Sequence, residues 1–378
     1  MANPQASGAE LIASIDQKIE KIRSRPLDLS FNELLDMYKD KELIIDPEYQ
    51  RLFRWSEGKQ SRFIETLLLE MPIPPIYVIE IEEGRYELID GLQRISSYLH
   101  FRGEHPDRVN NDGTYHELTL TECDVATELN GYTFAKLPTA LQIKLKRNFV
   151  RVDVIRRESD SRLRYYVFKR LNTGGELLSE QEIRNCTIRL LDNTFNNFII
   201  ELAGNSDFRE CISSISEEKA EQKGDQELVL RFFAFKNNRQ NYVHDVGDFM
   251  TEYMEAISDP TKKDFTFDYS NERLIFEKTF KILNRTLGSS AFAGTNIQGT
   301  LVTRFLSYHY EAFTLGLQPH LNKIDPYNET AIAKLREVLL SVKRDPTFRK
   351  ITTGGGKNYL KPLQDRIEFV EKPVGEAF

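Results

Sequence analysis

The 378-residue chain is longer than a single hydrophobic core usually supports, so two domains, or one domain with a large helical extension, are expected. Its composition, 40% hydrophobic and 29% charged, is that of an ordinary globular protein, and no stretch is long and apolar enough to span a bilayer. The net charge of -7 disfavours a protein that coats nucleic acid by charge alone.

The three cysteines, Cys123, Cys186 and Cys211, lie far apart and form no C-x-x-C pair. This spacing argues against a disulfide framework and against a cysteine-rich zinc site. The six histidines show no metal-ligating or nuclease pattern either. The sequence therefore predicts a soluble protein of the reducing cytoplasm, with no membrane partner.

The first half of the chain predicts helices that alternate with strands. Apolar residues at three- and four-residue spacing indicate helices, strict alternation indicates strands, and Ser30 with Glu33 forms a capping box that begins one helix. The predicted elements are, in order, a helix over 8–24, a helix after Ser30, a strand over 43–45, a helix over 59–70, a hairpin of strands over 76–81 and 85–89, a helix over 92–101, a helix from about 138 and a strand over 149–155. The polar region 103–136 predicts loops or a small sheet insertion.

The remainder of the chain predicts mostly helices. Residues 160–171 predict a helix, and Ser179 with Glu182 forms a second capping box. Later helices are predicted at 227–233, 249–257, 274–287, 300–315 and 331–342. We therefore predict an α+β fold, with an N-terminal helix over 1–27, a small α/β domain over 28–188 and an all-helical domain over 189–378.

The stretch ELIDGLQRISS, residues 87–97, is the first candidate for chemistry. Here a strand passes through Asp90 and Gly91 into a helix whose first turn contains Arg94. Backbone amides at a helix N-terminus, together with a guanidinium, can bind a phosphate, and glycine lets the ligand approach closely. From these residues alone, an ion pair between Arg94 and a neighbouring carboxylate such as Asp90 is an equally good interpretation.

A second candidate is the stretch DPEYQR with a tryptophan close behind it. Gln50 and Arg51 follow a proline turn and supply planar hydrogen-bond donors. Tyr49 and Trp55 are candidates for stacking on a base. Taken in isolation, Trp55 is better explained as a core residue.

The segment from Lys144 to Arg189 is basic within an acidic protein. It contains twelve Lys or Arg against six Asp or Glu, a local excess of +6. This excess indicates an anion-facing surface, although a solvated helix face with intrachain pairs explains such a run equally well. The candidates for facing DNA are Lys144, Lys146, Arg147, Lys169 and Arg170.

Two glycine-containing loops complete the candidates. Asn172, Thr173 and Gly174 follow a cationic helix end, and such a loop can bind phosphate through its backbone, although a plain glycine C-cap is commoner. The later stretch TTGGGKN, residues 352–358, is not a P-loop, because Ile351 stands where the first glycine belongs and Asn358 replaces the hydroxyl residue. We interpret it as a flexible loop.

Six stretches of the chain resemble, in the same order, the motifs of the DGQQR-motif domain family. They are IDPEYQRLFRW, PIPPIYV, YELIDGLQRISS, FKRLNTGGELLSEQEIRN, ELVLRFFAF and TTGGGKNYLKPLQDRI, and they cover residues from about 28 to about 370. Domains of this family form the N-terminal part of GmrSD and SspE restriction proteins and also occur alone. The resemblance implies a core similar to the ParB/sulfiredoxin fold. It also implies binding and hydrolysis of a nucleoside triphosphate, with Mg²⁺, in defence against phage DNA.

The resemblance also implies roles for individual residues. The hypothesis that we build on it makes Asp90 and Arg94 catalytic: Asp90 positions the metal or the water, and Arg94 and Arg51 neutralise phosphate charge. The residues that it places at or beside the phosphates are Gln50, Arg51, Gly91, Gln93, Arg94, Ser96, Asn172, Thr173 and Gly174. One departure matters: the motif reads Asp-Gly-Leu-Gln-Arg here, so Leu92 replaces a glutamine and leaves open whether hydrolysis is retained.

Our leading hypothesis is a nucleoside-triphosphate-binding and hydrolysing module of an anti-phage or modification-dependent restriction system. The alternatives are a DNA-binding or sensing module without catalysis and a scaffold that docks a partner nuclease. Restriction members carry a His-Asn-His nuclease domain after the helices, which the given sequence does not contain. We therefore expect a partner nuclease or DNA-modifying protein, and we also consider a homo-oligomer.

Overall fold

The protein divides into two compact units, residues 1–177 and 178–378. The computed structural model describes residues 8, 16, 24–45, 53, 55–106, 116–156, 159, 179–188, 191–243, 245–262, 266–296 and 300–378. A mixed sheet with helices in the first unit and a largely helical second unit confirm the α+β fold. The finer domain boundaries at 27/28 and 188/189 stay predictions.

The first unit contains one five-stranded sheet. Its elements are β1 Ser24–Ser30, α1 Phe31–Lys39, β2 Leu43–Ile44, α2 Glu57–Leu68, β3 Ile76–Glu82, β4 Arg85–Asp90, α3 Leu92–Phe101, α4 Thr139–Lys146 and β5 Phe149–Ile155. The strand order is β1-β5-β3-β4-β2. The pairs β1/β5 and β3/β4 are antiparallel, whereas β3/β5 and β2/β4 are parallel. The sheet is therefore mixed, and β4 feeds directly into α3.

Alternation along β5 shows how the sheet is packed. Val150, Val152 and Val154 are buried, whereas Phe149 and Arg151 between them are exposed. Full burial of one such apolar side chain contributes about 1.5–3 kcal/mol. The valine face of β5 therefore belongs to the core of the first unit, and the opposite face carries the exposed side chains.

β1 was not predicted from the sequence. Ser24 to Ser30 pair with Ile155 to Phe149 of β5, so the strand exists because a distant segment provides its partner. Pro26 is tolerated because β1 is an edge strand, where a missing backbone donor costs little. The helix predicted over 8–24 lies almost wholly outside the described residues, and its last residue begins β1.

The second unit is built mainly of helices. They are α5 Glu180–Ile188, α6 Thr194–Ala203, α7 Ser206–Cys211, α8 Glu217–Glu221, α9 Gly224–Asn238, α10 Val246–Ser258, α11 Tyr269–Leu287, α12 Ser307–Gly316, α13 Glu329–Arg344, α14 Pro346–Thr352 and α15 Leu360–Ala377. Phenylalanines of α9 and α11 form the centre of its core, with the rings of Phe276 and Phe280 4.4 Å apart. None of the described helices is long and apolar enough to cross a membrane.

The helix predicted over 300–315 is wrong in its first part. Leu301–Phe305 form strand β7, which pairs with β6, Ala293–Thr295, and the helix begins only at Ser307. The stretch LVTRF is rich in β-branched and aromatic residues, which favour a strand once a partner is present. β6 has only three residues, so the sequence offers no recognisable hairpin there.

Candidate functional site

The junction between β4 and α3 places Asp90 at a strand end and Gly91 directly before a helix. Gly91 has a φ of +111°, which side chains rarely allow, and a Cβ there would lie 2.9 Å from Ile76 Cγ1. Glycine is therefore required by both the backbone and the available space. No described side chain caps the N-terminus of α3, and its first turn has no acidic residue.

Arg94 is held firmly beside this junction. Its side chain is 10% exposed, its Nη2 lies 2.6 Å from Asp90 Oδ2, and its Nη1 donates to the Pro75 carbonyl at 3.0 Å and to the Pro74 carbonyl. Asp90 keeps 36% of its side chain exposed. The ion pair considered from the sequence is thus present, and Arg94 fixes both Asp90 and the segment that leads into β3.

The other predicted residues of α3 differ in exposure, since Gln93 is half-buried and Ser96 is buried. Gln93 Oε1 accepts a hydrogen bond from the Trp55 amide at 3.1 Å, so this side chain ties the chain before α2 to α3. Trp55 packs edge-on against Phe63, with the ring centres 5.9 Å apart, and is only partly exposed. Ser96 and Leu92 are buried. These contacts support a packing role for Trp55 and place Leu92 in the core.

The structure describes nine of the seventeen predicted site residues. Tyr49, Gln50 and Arg51, the cations Lys169 and Arg170, and the loop residues Asn172, Thr173 and Gly174 lie outside the described residues. Their roles at the phosphates, in stacking or towards DNA stay predictions.

The structure does bring together two of the predicted DNA-facing cations. Lys144 and Arg147 line an open surface cavity of about 560 Å³, together with Arg151 and the 67%-exposed Phe149. Lys144 lies 3.4 Å from Glu70 Oε1, which lines the same cavity. Lys146 is not among the lining residues.

Lys146 and Arg151 show what spacing alone could and could not predict. Lys146 places its Nζ 5.6 Å from the centre of the Phe134 ring, a cation–π contact within the first unit. Arg151 was missed as a cavity residue, although the alternation along β5 puts it on the same exposed face as Phe149. That alternation was the signal in the sequence that could have placed Arg151 beside Phe149.

The described residues offer little other catalytic machinery. No group of three or more His, Cys, Asp or Glu among them could hold a metal ion. Burial raises the pKa of the Cys123 thiol to about 11 and also raises that of Cys211. Neither thiol supplies a nucleophilic thiolate near neutral pH.

The first unit is thus a mixed α+β domain with a glycine-led helix N-terminus beside an anchored Asp–Arg pair. Residues 31–189 match the family model of the GmrSD restriction endonuclease, N-terminal domain. This match confirms the resemblance for the region from α1 to α5. No curated protein and no solved structure matches the chain, so the likeness to the ParB/sulfiredoxin fold stays a prediction.

Proposed function

We propose that the chain binds a nucleoside triphosphate at the N-terminus of α3 and hydrolyses it as a module of a bacterial anti-phage or restriction system. The family match over residues 31–189 supports the restriction context. The observation that carries the nucleotide site is the helix N-terminus at Gly91, which no described side chain caps. This arrangement leaves backbone donors available for an anion.

The phosphates would contact the backbone amides of the first turn of α3. A cation in a first turn is normally disfavoured, by about 0.3–1 kcal/mol, because it faces the positive end of the helix dipole. Asp90 offsets this cost for Arg94 through the 2.6 Å ion pair. Since two backbone carbonyls occupy Nη1, Arg94 acts here chiefly by orienting Asp90. Arg51 is the cation proposed to neutralise phosphate charge.

Asp90 fits a metal ion that arrives with the nucleotide. Mg²⁺ in nucleotide sites is commonly held by one or two carboxylates, by phosphate oxygens and by water. Asp90 offers a single, partly exposed carboxylate of this kind. When bound, Mg²⁺ would neutralise charge on the phosphates. The role of Asp90 would be to hold that ion or to orient the attacking water.

The surface cavity at Lys144, Arg147 and Arg151 favours a second candidate function, DNA binding without catalysis. Three cations and an exposed aromatic ring in one cavity can contact a phosphate and stack on a base. This function predicts binding of duplex or single-stranded DNA that weakens steeply with salt and needs no nucleotide. Docking of a partner nuclease rests on the family match alone.

A nucleotide panel tests the proposal. The four nucleoside triphosphates are measured for binding and hydrolysis by the full chain, with and without Mg²⁺ and DNA. We expect Asp90→Asn to abolish hydrolysis and to weaken the Mg²⁺ dependence of binding. Asp28→Asn, at an exposed aspartate of β1, is the matched control and should behave like the wild type. Failure of all four nucleotides to bind would overturn the proposal, whereas binding without hydrolysis would retain only its first half.

A further inference from the structure

The second unit contains an open cavity of about 520 Å³ that the proposed function does not use. It lies where the end of β7, the first turn of α12 and the loop after α14 meet, and α8 and α9 each contribute one cation. Its size is in the range of small-ligand sites, about 300–1,000 Å³. We call it the second-unit cavity.

The charge of the second-unit cavity is one-sided. Lys219, Arg231 and Arg304 line it, and none of the described lining residues is acidic. Lys219 and Arg304 are exposed, and neither forms an ion pair with any described residue. A concave surface lined only by positive charges concentrates anions.

Arg231 is a second, independent indication that the second-unit cavity binds an anion. Its side chain is only 12% exposed, and its Nε lies 3.4 Å from Glu311 Oε1, without a hydrogen bond to any described residue. The other oxygen of Glu311 already accepts from Arg366 Nε at 2.8 Å, and both of these residues are 1% exposed. One buried carboxylate thus serves two arginines, which leaves an excess positive charge beside the cavity. A buried charge that shares its partner with a second cation is only partly compensated, so an anion there would lower the free energy.

The backbone around the cavity suits the same ligand. Gly354, in the loop after α14, has a φ of +85°, and a Cβ there would meet no atom within 4 Å, so this glycine serves the loop conformation and leaves space open. α12 has ten residues, and no described side chain caps its N-terminus at Leu306. The Tyr308 hydroxyl donates to Asn358 Oδ1 at 3.1 Å and fastens the loop to the first turn of α12. Amide donors and cations thus face one space.

We propose that the second-unit cavity binds a phosphate group, carried by a nucleotide or by a nucleic-acid strand. The guanidinium of Arg231 and the exposed charged groups of Lys219 and Arg304 contact the phosphate oxygens, and the amides at the start of α12 complete the contacts. Arginine pairs with phosphate in a planar, two-point manner, which explains why two of the three cations are arginines. This site is separate from the β4–α3 junction, and it stands whether or not that junction binds a triphosphate.

Binding measurements on the full chain test this site. The probes are inorganic phosphate, adenosine 5′-monophosphate and a single-stranded oligonucleotide with and without a 5′-phosphate, studied by calorimetry at low salt. The test variant is Lys219→Ala with Arg304→Ala, because both side chains are exposed and form no ion pair with described residues. The matched control is Lys372→Ala with Arg336→Ala, two exposed cations of α15 and α13 that do not line the cavity.

The test variant should weaken binding of the preferred probe about tenfold or more, which corresponds to about 1.4 kcal/mol, and the control should leave it unchanged. Preference for the monophosphate or for the oligonucleotide identifies the source of the phosphate. The inference is wrong if no probe binds to the wild type, or if the test variant binds as well as the control. A Gly91→Ala variant separates the two sites. If this variant loses binding of the probe while the test variant retains it, the phosphate binds at the β4–α3 junction instead.

Discussion

Each unit has an arginine beside a helix N-terminus that no described side chain caps, and the two arginines are held differently. Arg94 has a carboxylate of its own and two backbone carbonyls, so its charge and most of its donors are satisfied. Arg231 shares Glu311 with Arg366 and forms no hydrogen bond with described residues through its Nε. The first arrangement is complete without a ligand, whereas the second retains a charge that an anion can neutralise. On our two proposals, Arg94 would act as a positioning residue and Arg231 as a ligand-contacting one.

The largest expected effect is on the buried charges of the second unit. Glu311→Gln leaves Arg366 and Arg231 without a carboxylate, and breaking a buried pair in this way costs about 3–5 kcal/mol. We expect a loss of that size in the free energy of unfolding, measured by denaturant titration with far-UV circular dichroism. Asp90→Asn, at the partly exposed pair of the first unit, should cost clearly less. Equal losses for the two variants would contradict the distinction between the two arginines.

The free energy of unfolding of the second unit should also depend on pH. Burial and the nearby charge of Lys343 lower the pKa of His309 from 6.5 to about 3. Below pH 6.5 the unfolded chain therefore binds a proton that the folded chain does not. This residue should therefore lower the stability progressively as the pH falls from 6.5 towards 3.

The matched variant for this effect is His309→Gln, which removes the titrating group and keeps a polar side chain beside Thr352, the 3.2 Å partner of His309 Nε2. Unfolding of this variant should depend less on pH over the same range, whatever its stability at neutral pH. Parallel stability curves for the two proteins would show that His309 does not titrate as its burial implies.

Gly91 offers a smaller and sharper test of the first unit. Gly91→Ala places a Cβ 2.9 Å from Ile76 Cγ1 at a φ of +111°, so both strain and collision oppose it. We expect a cost of about 1–3 kcal/mol in the free energy of unfolding. Gly84→Ala is the control, because Gly84 has a φ of +75° but no atom within 4 Å of the added Cβ. The difference between the two variants isolates the collision with Ile76, and no difference would mean that the backbone conformation alone requires glycine.

Local signals predicted much of the first unit. The predicted helix over 92–101 coincides with α3, because the apolar period changes from two to nearly four at the Asp90–Gly91 step. In the second unit, the predicted capping box at Ser179 forms both of its bonds, with 2.8 Å from the Ser179 amide to Glu182 Oε2 and 3.2 Å from the Glu182 amide to Ser179 Oγ. Such signals are local in the chain, so a sequence contains them in full.

The strands and the cavity that the sequence does not predict depend on residues that are distant in the chain. β1 pairs with a segment more than 100 residues away, and β7 pairs with the short β6, so neither strand has a complete local signature. The second-unit cavity draws its cations from Lys219, Arg231 and Arg304, and no spacing rule connects three such separate positions. The stretch TTGGGKN was interpreted as a flexible loop, and only its position beside α12 indicates a ligand site.

The surface cavity of the first unit gives the smallest expected effect. Lys144 and Arg147 line this cavity, whereas Lys146 is held over the Phe134 ring. If the cavity contacts DNA phosphates, removing one contacting cation should lower the slope of log affinity against log salt by about 1. Arg147→Ala should therefore reduce both the affinity for an oligonucleotide and this slope. Both quantities are measured by fluorescence anisotropy between low and moderate salt. Lys146→Ala is the matched control, since Lys146 is the adjacent residue in the sequence and its charge lies outside the cavity. Equal slopes for the two variants would mean that the local excess of positive charge acts as a diffuse field and that the cavity has no DNA-contacting role.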